Sequence, residues 1–216
     1  MANQLFKLIS STDYPQIREV LSNDPALANE GVPLNDHLFS QKGHPLHRIC
    51  DAVFAKKITD EQAVETAKIL LEFGANIDGY KSAGDNNTPL IAASSLHAEQ
   101  LGIFYIEHRA DVFYTPKSDG ATALHWAAFC GRDKLVKKLI ESGANINQPD
   151  TSYNSTPTGW AIHALLSKDN GNAHNQLQCI KLLLKAGADK SLLNSDSMQY
   201  LRSVAESDKE LEGLIR

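Results

Sequence analysis

Eight histidines and three cysteines are the side chains of this 216-residue chain best suited to bind a metal or move a proton. Such chemistry needs them at particular spacings. His37, His97, His108, His163 and His174 form no His-Glu-x-x-His motif, no His pair beside a carboxylate and no other ligand pattern. Cys50, Cys130 and Cys179 are widely spaced and odd in number, with no Cys-x-x-Cys pair. They are expected to be small buried hydrophobes in a reducing compartment, not disulfide partners or zinc ligands. The chain has no Gly-x-Ser-x-Gly nucleophile motif and no glycine-rich phosphate loop. Asp60, Glu61 and Glu65 cluster at the start of a predicted helix, where negative charge favours the positive end of the helix dipole. No catalytic residue, cofactor site or metal site is expected, and the chain is not expected to be an enzyme.

Composition narrows the partners. The formal net charge is −5, and Lys56-Lys57 and Lys137-Lys138 are isolated pairs. Gripping a phosphate backbone takes many neutralising cations, so nucleic acid is not an expected partner. No stretch approaches the ~20 apolar residues that span a bilayer. Met1 to Ser10 does not read as a signal peptide. These features suggest a cytoplasmic protein with no membrane attachment, with secretion as an effector by another route left open.

The elements that would position any site show themselves as repeats. Thr88-Pro89-Leu90-Ile91, Thr122-Ala123-Leu124-His125 and the divergent Thr156-Pro157-Thr158-Gly159 follow one another at intervals of 34 residues, and His44-Pro45-Leu46-His47 is an earlier copy. A second marker trails each: Gly74-Ala75, Arg109-Ala110, Gly143-Ala144 and Gly187-Ala188. Thr before Pro starts a helix, since the hydroxyl caps free N–H groups and Pro has none to waste. Gly before Ala ends one, because Gly tolerates the left-handed conformation. Between the markers the pattern predicts a helix, a turn at Gly131 in the clearest copy, and a second helix with Leu135, Val136, Leu139 and Ile140 on one face.

Residues 119–147 resemble an ankyrin repeat, whose unit of about 33 residues carries a Thr-Pro-Leu-His-x-Ala signature. Four copies in phase extend the resemblance over essentially the whole chain. It implies an all-α ankyrin-repeat solenoid of stacked helix-turn-helix units with short hairpin-like connecting loops. One domain is expected, with an N-terminal cap at 1–36, repeats at 37–80, 81–114, 115–148 and 149–190, and a C-terminal cap at 191–216. Leu5, Phe6, Ile9, Ile17, Val20 and Leu21 would build the first cap. Two repeats are overlong. The extra residues around Val53 to Asp60 should lengthen the first helix or add a loop, and Ser167 to Asn175 reads as an exposed loop. Arg109 in place of the helix-ending Gly, and Gly102 within the second helix, mark the third repeat's second helix as the least stable. In the fifth repeat Thr158 replaces the core Leu, Gly159 replaces the signature His, and Trp160 is expected to fill the space.

The resemblance also implies a function: binding another protein through the concave face of first helices and loop tips. In the family the signature histidines, here His47 and His125, hydrogen-bond between a turn and its neighbour. The family's variable surface positions map to Arg48, Asp51, Asp85, Ser95, Leu96, Ala121 and Cys130. They map also to Asp119, Trp126, Phe129, Tyr153, Trp160 and His163, with Tyr114 on the connection before them. Trp and Tyr dominate binding hot spots because they bury much area for little lost rotamer entropy. The expected partner-binding set is therefore Tyr114, Asp119, Trp126, Phe129, Tyr153, Trp160 and His163, on a monomer acting as an adaptor or scaffold. An inhibitory or regulatory subunit that occludes an enzyme uses the same surface. A metal- or small-molecule-dependent enzyme built on the inserted loops is the remaining alternative.

Overall fold

The computed structural model describes residues 2–33, 42–79, 87–167 and 173–216. The chain forms two compact units, Met1–Asp111 and Val112–Arg216. In the first unit α1 (Ala2–Ser11) pairs with α2 (Tyr14–Asn23), α3 (Pro45–Phe54) with α4 (Asp60–Glu72), and α5 (Pro89–Ser95) with α6 (Glu99–Glu107). First helices stack on first helices, α1 on α3 on α5, and second on second, α2 on α4 on α6. A two-residue antiparallel pair, β1 (Val32–Pro33) with β2 (Lys42–Gly43), lies beside α1. The second unit repeats the scheme with α7 (Ala123–Phe129) and α8 (Asp133–Glu141), α9 (Pro157–Leu166) and α10 (Ala173–Lys185), and the final pair α11 (Ser195–Ala205) and α12 (Lys209–Ile215). This is the all-α architecture of stacked helix pairs that the repeats predict.

The markers act as their chemistry requires. The Thr88 and Thr156 hydroxyls accept from the N–H groups of Ile91 and Gly159 at 3.3 and 3.4 Å. His44 does the same work in its copy, its Nδ1 accepting from Leu46 N–H at 3.2 Å. At the far ends Gly74, Gly143 and Gly187 have φ of +82°, +85° and +93°. Each end closes with the same two bonds, as in Gly143 N–H to Ile140 C=O and Ala144 N–H to Leu139 C=O, both 3.0 Å. Arg109 holds φ +68° and makes the equivalent bonds to Ile106 and Tyr105. The geometry is kept without the glycine.

The cores are aliphatic. Leu5, Ile9, Ile17, Leu21, Leu46, Ile49, Leu70 and Leu101 are fully enclosed in the first unit, as are Leu135, Val136, Leu139, Ile162, Ile180 and Leu183 in the second. Cys50 and Cys179 are likewise fully buried, whereas Cys130 is half-buried. The first overlong repeat spends its extra residues on helix: α3 has 10 residues and α4 has 13, against 7 and 9 for α7 and α8. The second expected loop is shorter than Ser167 to Asn175. Residues 168–172 lie outside the described residues, and α10 is already helical from Ala173. Thr158 is enclosed at the core position with its hydroxyl unpartnered. The Trp160 ring meets three rings of α7, those of His125, Trp126 and Phe129, and that of Tyr153 on the tip before α9.

Candidate functional site

The residues that gather are set by the repeat length. Trp126 and Phe129 stand on α7, and Trp160 and His163 occupy the same two positions one repeat later on α9. Stacking α7 on α9 therefore brings the four together. The Trp126, Phe129 and Trp160 rings pack edge to face, with centroids 5.1 to 6.2 Å apart and mutual angles of 74° to 78°. His163 stacks on Phe129 at 6.5 Å and 23°. Tyr153, on the tip before α9, adds a fourth aromatic ring, 6.4 Å and 70° from Trp160. Aromatic pairs prefer this T-shaped contact over a sandwich because of the ring quadrupole. Trp126, Phe129 and Trp160 are half-buried, His163 is exposed, and Tyr153 is 78% exposed.

Asp150, which sequence reasoning missed, holds this cluster in place. It is 2% exposed, and its carboxylate accepts from the N–H groups of Ser152, Tyr153 and Ser155 at 2.8, 2.7 and 3.0 Å. Its Oδ2 also accepts from the Trp160 indole Nε1 at 3.0 Å. One side chain thus shapes the tip bearing Tyr153 and fixes the rotamer of Trp160. Burial pushes the Asp150 carboxyl up, but the hydrogen bonds from Trp160, Tyr153, Ser155 and Ser152 outweigh it and hold the group below its ordinary value. The signal available in the sequence was an Asp opening the polar run Asp150-Thr151-Ser152-Tyr153-Asn154-Ser155, since Asp readily bonds its own backbone a few residues on.

Asp119 and Tyr114 lie on the connection ahead of α7 and are half-buried. The Asp119 carboxylate accepts from Ala121 N–H at 3.0 Å and its carbonyl accepts from Thr151 N–H at 2.8 Å. Asp119 thereby ties adjacent tips. Gly120 at φ +71° permits that approach, as an added Cβ would sit 2.9 Å from Thr151 N. Asn154, the corresponding residue one repeat later, takes φ +50°. Of the other mapped positions, Ala121 is fully buried, Arg48 is buried and pairs with Asp51, Ser95 and Leu96 are half-buried, and Asp85 lies outside the described residues.

His125 and Cys130 in the second unit, and His47 in the first, are enclosed or half-enclosed by their own repeats. His125 Nδ1 accepts from Thr122 N–H at 3.1 Å, so Nε2 carries the proton and donates to Ser155 C=O at 3.1 Å. Burial depresses its pKa against the opposing pull of that bond and of Asp150 and Asp119. His47 is held low by burial and bonds the backbone of Asn87. Burial pushes the Cys130 thiol up to about 11, which leaves it protonated and unreactive at neutral pH. Among the described residues no group of three or more His, Cys, Asp or Glu side chains could hold a metal ion. A concavity of about 480 Å³ lies in the first unit between α4 and α6, lined by Val64, Lys68, Gln100, Ile103, Phe104, Glu107 and His108.

Comparison with known proteins matches this geometry to a family. Residues 55–150 fit the family model described as ankyrin repeats, in three copies. An ankyrin repeat domain from Acinetobacter baumannii superposes on 98% of this chain and 95% of its own with a TM-score of 0.68, at 24% sequence identity. Residues 55–150 are thus ankyrin repeats, and the fold is that of an ankyrin-repeat domain. Among curated proteins, palmitoyltransferase ZDHHC13 of Mus musculus is 37% identical over 122 residues, which is 52% of this chain and 18% of that protein. Palmitoyltransferase ZDHHC17 of Danio rerio is 36% identical over 104 residues, 46% of this chain and 15% of that protein. The chain thus matches less than a fifth of the length of these relatives, and the similarity covers ankyrin repeats and not a catalytic domain. Ankyrin repeats are in general protein-interaction modules and typically not enzymes.

Proposed function

We propose that this chain is a protein-recognition module whose binding surface is the aromatic cluster of α7, α9 and the tip at residues 150–155. The observation that carries the reading is the contact of Trp126, Phe129, Trp160 and Tyr153, four large aromatics on one surface, none of them fully enclosed. A soluble monomer spends aromatic side chains on its surface mainly where they bury against something else. Rigid stacking and the Asp150 bonds fix the rings before a partner arrives, so little ordering entropy is lost on binding. On this reading Asp119 and His163 border the rings, and Tyr114 contributes from the connection before α7.

On this reading the chain is one ankyrin-repeat domain, monomeric and cytoplasmic, acting as an adaptor and needing neither nucleic acid nor a membrane. Affinity capture from native lysate tests it, comparing wild type with a Phe129→Ala, Trp160→Ala variant whose circular dichroism spectrum is unchanged. A defined protein held by wild type and lost at least 10-fold by the variant is the expected outcome, since two hot-spot truncations cost about 2 kcal/mol or more each. Equal retention by both contradicts the assignment of the surface.

A further inference from the structure

The chemistry of what docks can be read from the carboxylate beside the rings. Tyr153 and Trp160 meet at 70° and form an aromatic corner whose outer wall is the 78% exposed Tyr153 ring. Asp150 lies at the edge of the Trp160 ring, 3.0 Å from the indole nitrogen. Its partners are four N–H groups and no cation among the described residues, so its charge is met by dipoles alone. An indole whose N–H is bonded to a carboxylate is enriched in π density, and Trp is already the strongest of the aromatic cation acceptors. A second carboxylate, Asp119, sits on the adjoining tip. Both carboxylates pull the neighbouring His125 toward its protonated form, although burial prevails there.

An apolar occupant would cover the rings and leave this negative potential unanswered. An anionic one would be repelled by it. A cation uses the faces and the charge together, and a guanidinium, planar and weakly hydrated, stacks on such faces most readily. We propose that the partner protein seats a cationic side chain, arginine or lysine, in the corner between Tyr153 and Trp160, with the ionised Asp150 supplying charge from the indole edge. This rests on the docking surface proposed above and names the chemistry that the surface selects.

The test uses methylguanidinium and its neutral isostere methylurea as probes, on the full chain at constant ionic strength and non-denaturing concentrations. The reporter is the Trp160 indole N–H resonance, one of two indoles, assigned by its loss in Trp160→Phe. A saturable shift is expected with methylguanidinium and none with methylurea. Affinity for methylguanidinium should fall about 3-fold or more in Asp150→Asn and in Tyr153→Leu. Tyr153→Leu alters an exposed side chain, so it decides the matter even if Asp150→Asn loosens the tip. Equal response to the two probes, or unchanged affinity in Tyr153→Leu, overturns the proposal. If the probes fail while capture of the partner still depends on Phe129 and Trp160, the cationic subsite falls and the docking surface stands. If methylguanidinium binds while capture is indifferent to those residues, the docking surface falls instead.

Discussion

At the scale of single residues, two buried polar groups organise the molecule in different ways. Asp150 is an ionised acid paid for by four N–H donors, one of them from the cluster it supports. Removing it leaves those donors without an acceptor and frees the Trp160 ring. Asp150→Ala is expected to lower stability by about 2–3 kcal/mol, read as a reduced urea midpoint, and to shift tryptophan fluorescence. His44 is the opposite case, a neutral ring that caps α3 through Nδ1 and reaches Asn29 Oδ1 through Nε2 at 3.1 Å. Burial, and next to it the charge of His47, lower its pKa from 6.5 to about 4. The unfolded chain therefore binds a proton that the folded chain refuses between these values. The stability contribution is complete above about pH 6.5, is lost as pH falls toward 4, and amounts to at most about 3 kcal/mol. His44→Asn keeps a capping side chain without the titration, and its urea midpoint should fall less between pH 7 and 4.5 than that of wild type. A parallel decline in the two proteins would show that His44 does not carry this dependence.

At the scale of elements, the helix ends show how far the sequence could be read. Gly74, Gly143 and Gly187 announce their positive φ by residue type, and the same closing bonds form at each. Arg109 takes that conformation because the repeat around it demands it, at a steric cost that glycine does not bear. Arg109→Gly is accordingly expected to stabilise the chain by about 0.5–1 kcal/mol, the relief exceeding the entropy glycine adds to the unfolded state. A lower thermal midpoint in that variant would contradict this. The helix pairs, caps and aromatic positions were legible because each depends on local chemistry repeated at a fixed interval. The role of Asp150 was not, because its bonds join a tip to a ring ten residues away, a contact that no repeated local pattern announces.

At the scale of the whole molecule, the chain has an ankyrin-repeat fold, and its described residues include no cluster of three or more His, Cys, Asp or Glu that could hold a metal ion. Its curated relatives match this chain over less than a fifth of their own length, and on the proposed reading the shared repeats serve recognition. Two surfaces compete for that role, the aromatic cluster on α7 and α9 and the open concavity between α4 and α6. The cluster presents large, fixed aromatic area, which is where binding energy concentrates, while the concavity is lined in part by the flexible side chains of Lys68, Gln100 and Glu107. Amide hydrogen exchange of the chain with and without its captured partner separates them most directly. Slowed exchange confined to residues 119–129 and 150–163 is the result this account predicts; slowed exchange along α4 and α6, with those segments unchanged, would contradict it.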